Sequence, residues 1–389
     1  MEKLKIFART VEEEARRQIL EMSESEAYQG CTIRIMPDCH AGAGCTVGTV
    51  IKVGERVVPN TVGVDIGCGM LVAVFKNLTL NLQQLDEVIN TLVPSGFNIH
   101  ESPVTEFELL NSLHCIEAIY LGQAQRAIGT LGGGNHFIEA NRDEEGSTYI
   151  VIHSGSRNLG LRVCKYYQEK AVKAMTDTSS KVRELIARMK AEGREREISE
   201  ALKTIDRTEV KKELAYLSGE SLTAYLHDMT IAQEYARLNR QTMLDIICHA
   251  MGITPDSVFQ TIHNYIEQDG EGVILRKGAV SAKAGETLII PMNMRDGSLI
   301  CMGKGNRDWL CSAPHGAGRL MSRTAAHASI TLEQFEASMQ GIYSTSVCAE
   351  TIDESPMAYK PMQEIIECVH PTVEIQKIIK PIYNFKAKG

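Results

Sequence analysis

The chain has 389 residues, 43% of them hydrophobic and 23% charged, which excludes a disordered or fibrous chain and predicts a soluble globular protein with a buried core. A formal charge of −8 argues against a generic nucleic-acid coat protein but leaves room for a local basic groove, and acidic or soft metal ligands would lower the charge on their own. Eleven cysteines without a C-x-x-C pair, no signal-type apolar stretch after Met1, and no apolar run near the ~18 residues of a membrane span point to a cytoplasmic protein with neither disulfide framework nor membrane anchor.

No Pro-, Ser- or Gly-rich linker divides the sequence, so residues 1–389 are expected to form one domain, most simply a monomer. The first 20 residues place Ala8, Val11, Ala15 and Ile19 at helical spacing. From Cys31 to Val74 short β-type runs follow, at Thr32–Ile35, Val47–Ile51 and Leu71–Phe75, punctuated by glycines such as Gly48, Gly67 and Gly69. Residues 148–154 read as a buried strand that ends in His153 and Ser154. From Gln168 to Glu213 charges of both signs are interspersed, which predicts an exposed antiparallel helix pair broken near Gly193. With the helical stretch at 221–250, this gives an inserted helical arm over about 165–245. β texture returns over 272–302, helices are expected at 316–328 and 331–340, and a short strand at Ile382–Phe385 closes the chain. Strands and helices mix without βαβ alternation, so the fold class is α+β, a mixed sheet core with surrounding helices.

Five clusters carry chemistry. In Asp65-Ile66-Gly67-Cys68-Gly69 a carboxylate and a thiol three apart can reach one centre if Gly67 lets the backbone fold tightly, and a thiolate can bridge two cations. Gly132-Gly133-Gly134-Asn135-His136 exposes backbone N–H groups suited to an anion and ends in a possible metal ligand, with Glu139 close behind; it lacks the GK[ST] ending of a P-loop. His153 stands where an apolar strand ends, beside Ser154-Gly155-Ser156-Arg157, and Arg157 has the fork to hold a phosphate bidentately. His263-Asn264-Tyr265 precedes the basic pair Arg276-Lys277. In Pro314-His315-Gly316-Ala317-Gly318-Arg319 small neighbours leave His315 open, as a nucleophile requires, and Arg319 and Arg323 would share a helix face. Each cluster alone fits an ordinary turn or a satisfied core histidine. Together they supply imidazoles, one thiol and one carboxylate beside glycine turns, a donor set better suited to Mn²⁺ or Zn²⁺ than to Mg²⁺. Neither G-x-S-x-G nor H-E-x-x-H occurs.

In this order, Met36-Pro37-Asp38-Cys39-His40, Val64-Asp65-Ile66-Gly67-Cys68-Gly69-Met70, Gly134-Asn135-His136-Phe137-Ile138-Glu139, His153-Ser154-Gly155-Ser156-Arg157, His263-Asn264-Tyr265, Arg276-Lys277-Gly278-Ala279 and His315-Gly316-Ala317-Gly318-Arg319 resemble the RtcB RNA-splicing ligases nearly end to end. The resemblance implies a two-metal site in which Cys68 bridges two Mn²⁺ ions, or Zn²⁺ or Co²⁺ in their place, with Asp65 and His136 on one and His153 and His263 on the other. It implies His315 as the nucleophile that takes GMP from GTP, and Asn135, Glu139, Asn293, Ser298, Gly316, Ala317, Gly318 and Lys386 as guanylate contacts. The implied activity joins an RNA 3′-phosphate, or a 2′,3′-cyclic phosphate opened at the same site, to a 5′-hydroxyl, in RNA repair or tRNA splicing.

The sequence also departs from the family pattern. Pro291-Met292-Asn293-Met294-Arg295 stands where many members read Pro-Gly-Ser-Met-Gly, Cys39 and Cys45 are unusual, and Lys386 rather than Lys388 is matched to the family's C-terminal lysine. These differences imply a divergent branch and leave the guanine pocket open. The rival expectations are a metal-dependent phosphoesterase acting on RNA ends and a non-catalytic RNA-end-binding protein.

Overall fold

Segments in which every residue is apolar, such as Leu71–Phe75 and Tyr149–Ile152, make strands only when both faces are covered, and every residue of these two runs is buried or nearly so. The computed structural model describes residues 2–42, 44–202, 211–269 and 272–387; positions 203–210 of the charged stretch and Lys388 lie outside them. The strands in chain order are β1 (Leu4–Ile6), β2 (Thr32–His40), β3 (Val47–Val53), β4 (Gly69–Phe75), β5 (Phe137–Arg142), β6 (Thr148–Ser154), β7 (Ser257–Ile262), β8 (Asn264–Asp269), β9 (Gly272–Lys277), β10 (Ala279–Ser281), β11 (Thr287–Asn293), β12 (Gly297–Gly303), β13 (Ser312–Pro314) and β14 (Val373–Lys386). They form a seven-stranded antiparallel sheet in the order β11-β12-β14-β5-β6-β4-β7, a five-stranded sheet β1-β2-β3-β9-β8, and the pair β10-β13.

The period-2 alternation of a strand sends Leu71, Ala73 and Phe75 to one face, where Ile138, Ala140, Ile150 and Ile152 join them under the helices Leu82–Leu92 and Gly219–Met251. Met70, Val72 and Val151 turn to the other face and meet Ile289, Ile300 and Ile379, which come from β11, β12 and β14 at the far end of the same sheet. The large sheet therefore curls until its ends share a core. Twist supplies part of the curl, and irregularities supply the rest: the register shifts between Ile300 and Cys301 and again beside Pro381, which has no N–H to give to the ladder.

The 33-residue helix Gly219–Met251 ties the two sheets together. At 1.5 Å per residue it is about 50 Å long. Its buried stripe of Tyr225, Met229, Ala232 and Tyr235 packs with the core under the smaller sheet, whereas Met243, Leu244 and Ile247 pack under the larger one. Gly252, in the left-handed conformation, ends it. The stretch expected as an arm at 165–245 is thus divided: Arg157–Thr176 and Gly219–Met251 bury core residues, and Ser179–Ala191 is the more exposed piece, ending just before Gly193.

Two local expectations need correction. The N-terminal helix starts only at Glu13, because Leu4–Ile6 pairs in parallel with Ile33–Ile35 as β1. The helix expected from 316 starts at Arg323, where the Ser322 side chain accepts the Ala325 N–H, so Arg319 lies in a loop and shares no helix face with Arg323. The architecture is α+β in one domain, none of the eleven cysteines is disulfide-bonded, and among the described residues no helix is long and apolar enough to cross a membrane.

Candidate active site

Gly67, with φ +72°, folds the chain so tightly that the Cys68 N–H reaches the Asp65 carbonyl at 3.2 Å; a Cβ on Gly67 would lie 2.8 Å from the Cα of Gln233. Asp65 and Cys68 therefore point the same way, into the space where β4, β5 and β6 end. Gly155 is small for the same reason, since a Cβ there would meet the Asp65 carboxylate at 2.0 Å.

Three imidazoles close around the thiol. His136 Nε2 lies 3.0 Å from Asp65 Oδ2 and 3.5 Å from Cys68 Sγ. His153 Nε2 lies 3.3 Å from the same sulfur and 3.4 Å from His263 Nε2. The donors fall into two groups of three that share Cys68, one with Asp65 and His136, the other with His153 and His263, all atoms within a group lying within 4.8 Å of one another. His136 Nδ1–H donates to the Leu131 carbonyl at 2.9 Å and His153 Nδ1–H to the Asn135 carbonyl at 3.1 Å. That fixes the tautomers and leaves the Nε2 lone pairs facing sulfur and carboxylate. A neutral imidazole with its one proton on Nδ1 has nothing to offer Asp65 Oδ2 from Nε2, so lone pairs converge where a cation would satisfy them. Burial first, then neighbouring imidazoles, hold His153 and His263 well below the ordinary histidine range, keeping them neutral donors. Burial opposes ionisation of Asp65, while the Ser156 N–H, donating to its Oδ1 at 3.0 Å, favours the carboxylate. Imidazole, thiol and carboxylate in this arrangement fit a borderline dication.

The imidazole series continues to His315. Ring centroids are 5.1 Å apart for His136 and His153, 5.2 Å for His153 and His263, and 4.7 Å for His263 and His315. His315 Nδ1 is held at 2.7 Å by Oδ2 of Asp38 on β2, and the same oxygen accepts the backbone N–H groups of His315 and Gly316 at 3.1 and 3.3 Å. Asp38 is fully buried. With Nδ1 engaged, Nε2 is the nitrogen left to act. Gly318 (φ +76°) lets this loop press on β2, its Cβ position lying 2.2 Å from the Asp38 carbonyl oxygen.

Asp65, Cys68, His153, His263 and His315 line a cavity of about 870 Å³, together with Asn135, Glu139, Asn293, Gly316, Ala317, Gly318, Arg323 and Lys386. Glu139 sits on β5 with its oxygens held by Asn384 Nδ2 at 2.6 Å and Asn141 Nδ2 at 3.3 Å; burial pushes its carboxyl up to about 7. Lys386 Nζ lies 2.5 Å from Glu354 Oε2 and 3.4 Å from the Asn135 carbonyl. Arg319 and Arg323 reach the same Glu354 at 3.4 and 3.3 Å, so a compact basic group gathers around one carboxylate.

Some expected residues are placed differently. Asn293 lines the cavity, but its Oδ1 accepts the N–H groups of Arg295 and Asp296 and its Nδ2 donates to Asp296 Oδ2, which makes it the cap of the β11–β12 turn. Ser298 is fully buried opposite Pro291, its hydroxyl without a partner, behind the cavity wall. Arg157 commits Nε to Thr130 Oγ1 and Nη2 to the Gly96 carbonyl, so the expected bidentate phosphate grip is spent on the protein's own loops. Asp38 and Glu354 were given no role from the sequence. Asp38 at least stood in a recognisable motif, whereas no local pattern marks Glu354.

Comparison with known proteins points to one family. The family model described as tRNA-splicing ligase RtcB matches residues 18–116 and 111–387. The chain is 33% identical to the RNA-splicing ligase RtcB of Escherichia coli K12, over 97% of this chain and 95% of the relative. It is 27% identical to the tRNA-splicing ligase RtcB of Aeropyrum pernix, over 86% and 83%, and 24% identical to the RNA-splicing ligase RtcB of Mycobacterium tuberculosis, over 91% and 96%.

Proposed function

The chain belongs to the RtcB family and is an RNA ligase, and from that premise we propose that it joins an RNA 3′-phosphate to a 5′-hydroxyl, with GTP as co-substrate and two Mn²⁺ ions in the site. The observation that carries the reading is His315, fixed through Nδ1 by buried Asp38 and packed beside an imidazole–thiol–carboxylate cluster. A phosphoesterase has no need of a guanylylated histidine, so GTP-dependent labelling of the protein separates the two readings.

In this reading Asp65 and His136 would hold one ion, His153 and His263 the other, and Cys68 both. Such ions, when bound, neutralise phosphate charge and polarise the reacting phosphoryl group. His315 Nε2 attacks the α-phosphorus of GTP; the Nε2–P bond forms, the bond to the β-phosphate oxygen breaks, and pyrophosphate leaves. The Nδ1 proton stays on the side of Asp38, whose carboxylate stabilises the charge that develops on the ring. An oxygen of the RNA 3′-phosphate then displaces His315 from phosphorus, giving an RNA end capped by GMP through a pyrophosphate. The 5′-hydroxyl attacks the RNA-side phosphorus, loses its proton, and GMP departs. Asn135, Glu139 and Lys386 would hold the guanylate, with the Gly316–Gly318 backbone against its phosphate. Zn²⁺ or Co²⁺ would suit the same ligands, and a 2′,3′-cyclic phosphate end would first be opened in the same cavity.

The test is incubation with Mn²⁺, α-labelled GTP and RNA carrying 3′-phosphate and 5′-hydroxyl ends, for the wild type and His315→Ala. An acid-labile protein–GMP adduct and a joined RNA are expected, both absent in the variant. RNA dephosphorylated without labelling of the protein would replace the proposal with a phosphoesterase.

A further inference from the structure

A second cavity, of about 650 Å³, adjoins the catalytic one, and Lys386 lines both. Its rim carries Phe97, which is 100% exposed. Single apolar side chains at a surface are ordinary, but this one stands where a cavity opens. It is also held in place. Gly96 (φ +64°) turns the chain, the Gly96 N–H donates to the Gly132 carbonyl at 2.9 Å, Asn98 N–H closes on the Ser95 carbonyl at 3.1 Å, and Arg157 Nη2 grips the Gly96 carbonyl at 2.7 Å. The Phe97 turn is thereby fastened to the Gly132–Gly134 loop that leads into His136.

Beside the aromatic face, the cavity offers small polar groups, among them Ser95, Asn90, Asn98 and Thr345. Between Phe97 and the catalytic cleft there are no side chains on Gly132, Gly133 and Gly134; a Cβ at Gly133 would be 3.7 Å from Gly96, and one at Gly134 3.7 Å from the Arg323 guanidinium. The bare backbone thus lies between an aromatic side chain on one side and Arg323 and Lys386 on the other, the kinds of group that take a nucleotide's base and its phosphate.

We infer that Phe97 and the adjoining polar cavity form a nucleobase subsite, where an unpaired base next to the joined RNA end stacks on the Phe97 ring. The inference rests on the ligase reading for the identity of the ligand, but binding can be measured without turnover. The probe is a fluorescently labelled single-stranded RNA with a 3′-phosphate, titrated by anisotropy against the wild type, Phe97→Ala, Phe97→Leu and Phe97→Trp. A parallel series carries one abasic nucleotide at each of the last three positions on either side of the junction. Phe97→Ala and Phe97→Leu are expected to weaken RNA binding and raise the RNA KM about tenfold. Phe97→Trp should bind within about twofold of the wild type, and RNA-independent protein–GMP formation should be unchanged in all three. One abasic position should weaken the wild type about as much as Phe97→Ala does and weaken Phe97→Ala no further. Unchanged RNA binding in Phe97→Ala overturns the subsite, as does Phe97→Leu binding as well as the wild type, or a Phe97→Ala effect confined to self-association in sedimentation. Failure of wild-type guanylylation would instead count against the ligase chemistry and leave the binding result to decide the subsite.

Discussion

A carboxylate taken out of water must be met by donors or kept protonated, and the site contains examples of both. Asp38 concentrates three N–H donors on a single oxygen, with His315 Nδ1 the nearest at 2.7 Å. Replacing Asp38 by Asn keeps the shape but removes the charge that favours a protonated Nδ1 and supports positive charge on the ring. Protein–GMP formation in Asp38→Asn should fall on the order of 10²- to 10⁴-fold, the scale known for a buried carboxylate behind a catalytic histidine, with metal content unaltered. A rate within threefold of the wild type would show that Asp38 does not orient His315. Glu139 is the other kind. Its carboxyl, raised to about 7, favours the protonated form in the folded chain. Its contribution to stability is present below the ordinary range near 4.5 and is lost as pH rises through about 7. A shift of that size corresponds to on the order of 3 kcal/mol, at 1.36 kcal/mol per unit. Glu139→Gln removes the titration, and turning the Asn141 amide gives the new NH₂ an acceptor, because Asn141 Oδ1 has no partner. Without nucleotide, the variant should unfold at a higher temperature than the wild type at pH 8 and lose that advantage at pH 5. An equal difference at both values would mean that Glu139 does not titrate in this interval.

At the scale of elements, the site depends on one helix more than on any strand. Midway along Gly219–Met251, buried Asn239 accepts the N–H groups of Gly129 and Thr130 and donates to the Thr130 carbonyl, Ser154 Oγ and the Gly155 carbonyl. Its neighbour Arg240 donates to the Gly67 and Ser154 carbonyls at 2.9 Å. The two side chains brace the loops that carry Asp65, Cys68, His136 and His153. Asn239→Ala would leave several buried backbone groups unpaired, at about 1–3 kcal/mol for each that water cannot reach. Denaturant unfolding should show a loss of at least about 2 kcal/mol, together with weaker Mn²⁺ binding; full metal affinity alongside the stability loss would confine Asn239 to a packing role. The same helix shows what was legible in the sequence. Its helical character was plain, but not that its middle would brace the site, because Asn239 and Arg240 look like ordinary polar positions until the loops arrive from over 80 residues away. The motifs whose side chains the fold brings together were legible because glycine turns and histidines are local signals. β14 was not: a strand of four residues was expected and one of fourteen forms, because Glu374, Lys377 and Lys380 break the apolar pattern while their backbone continues the ladder. The helix expected over 316–328 begins only at Arg323, because Gly316 and Gly318 are poor helix formers and contact with Asp38, remote in sequence, holds them in a loop.

At the scale of the molecule, the groups proposed to hold cations are drawn from positions 65 to 263, and they meet only in the folded chain. His263 stands between β7 of the large sheet and β8 of the small one, and Asp38 reaches the site from the small sheet as well. Ions held here would link the two sheets, and a ligand that binds only the folded state stabilises it by RT ln(1 + [L]/Kd), ~4 kcal/mol at a thousandfold excess over Kd. Exhaustive chelation should therefore lower the unfolding temperature by several degrees, and Mn²⁺ added back should restore it. Cys68 is the one donor common to both groups. Cys68→Ser should reduce bound metal from two ions per chain to one or none, counted by mass spectrometry, and shrink the rise in unfolding temperature on adding Mn²⁺. His315→Ala should leave both the count and the rise as they are, since His315 belongs to neither donor group. Two ions and a full rise in Cys68→Ser would show that the sulfur bridges nothing and that the two donor groups act independently. A lost rise in His315→Ala would move the nucleophile into the metal shell, and the division of labour between His315 and the cluster would have to be redrawn.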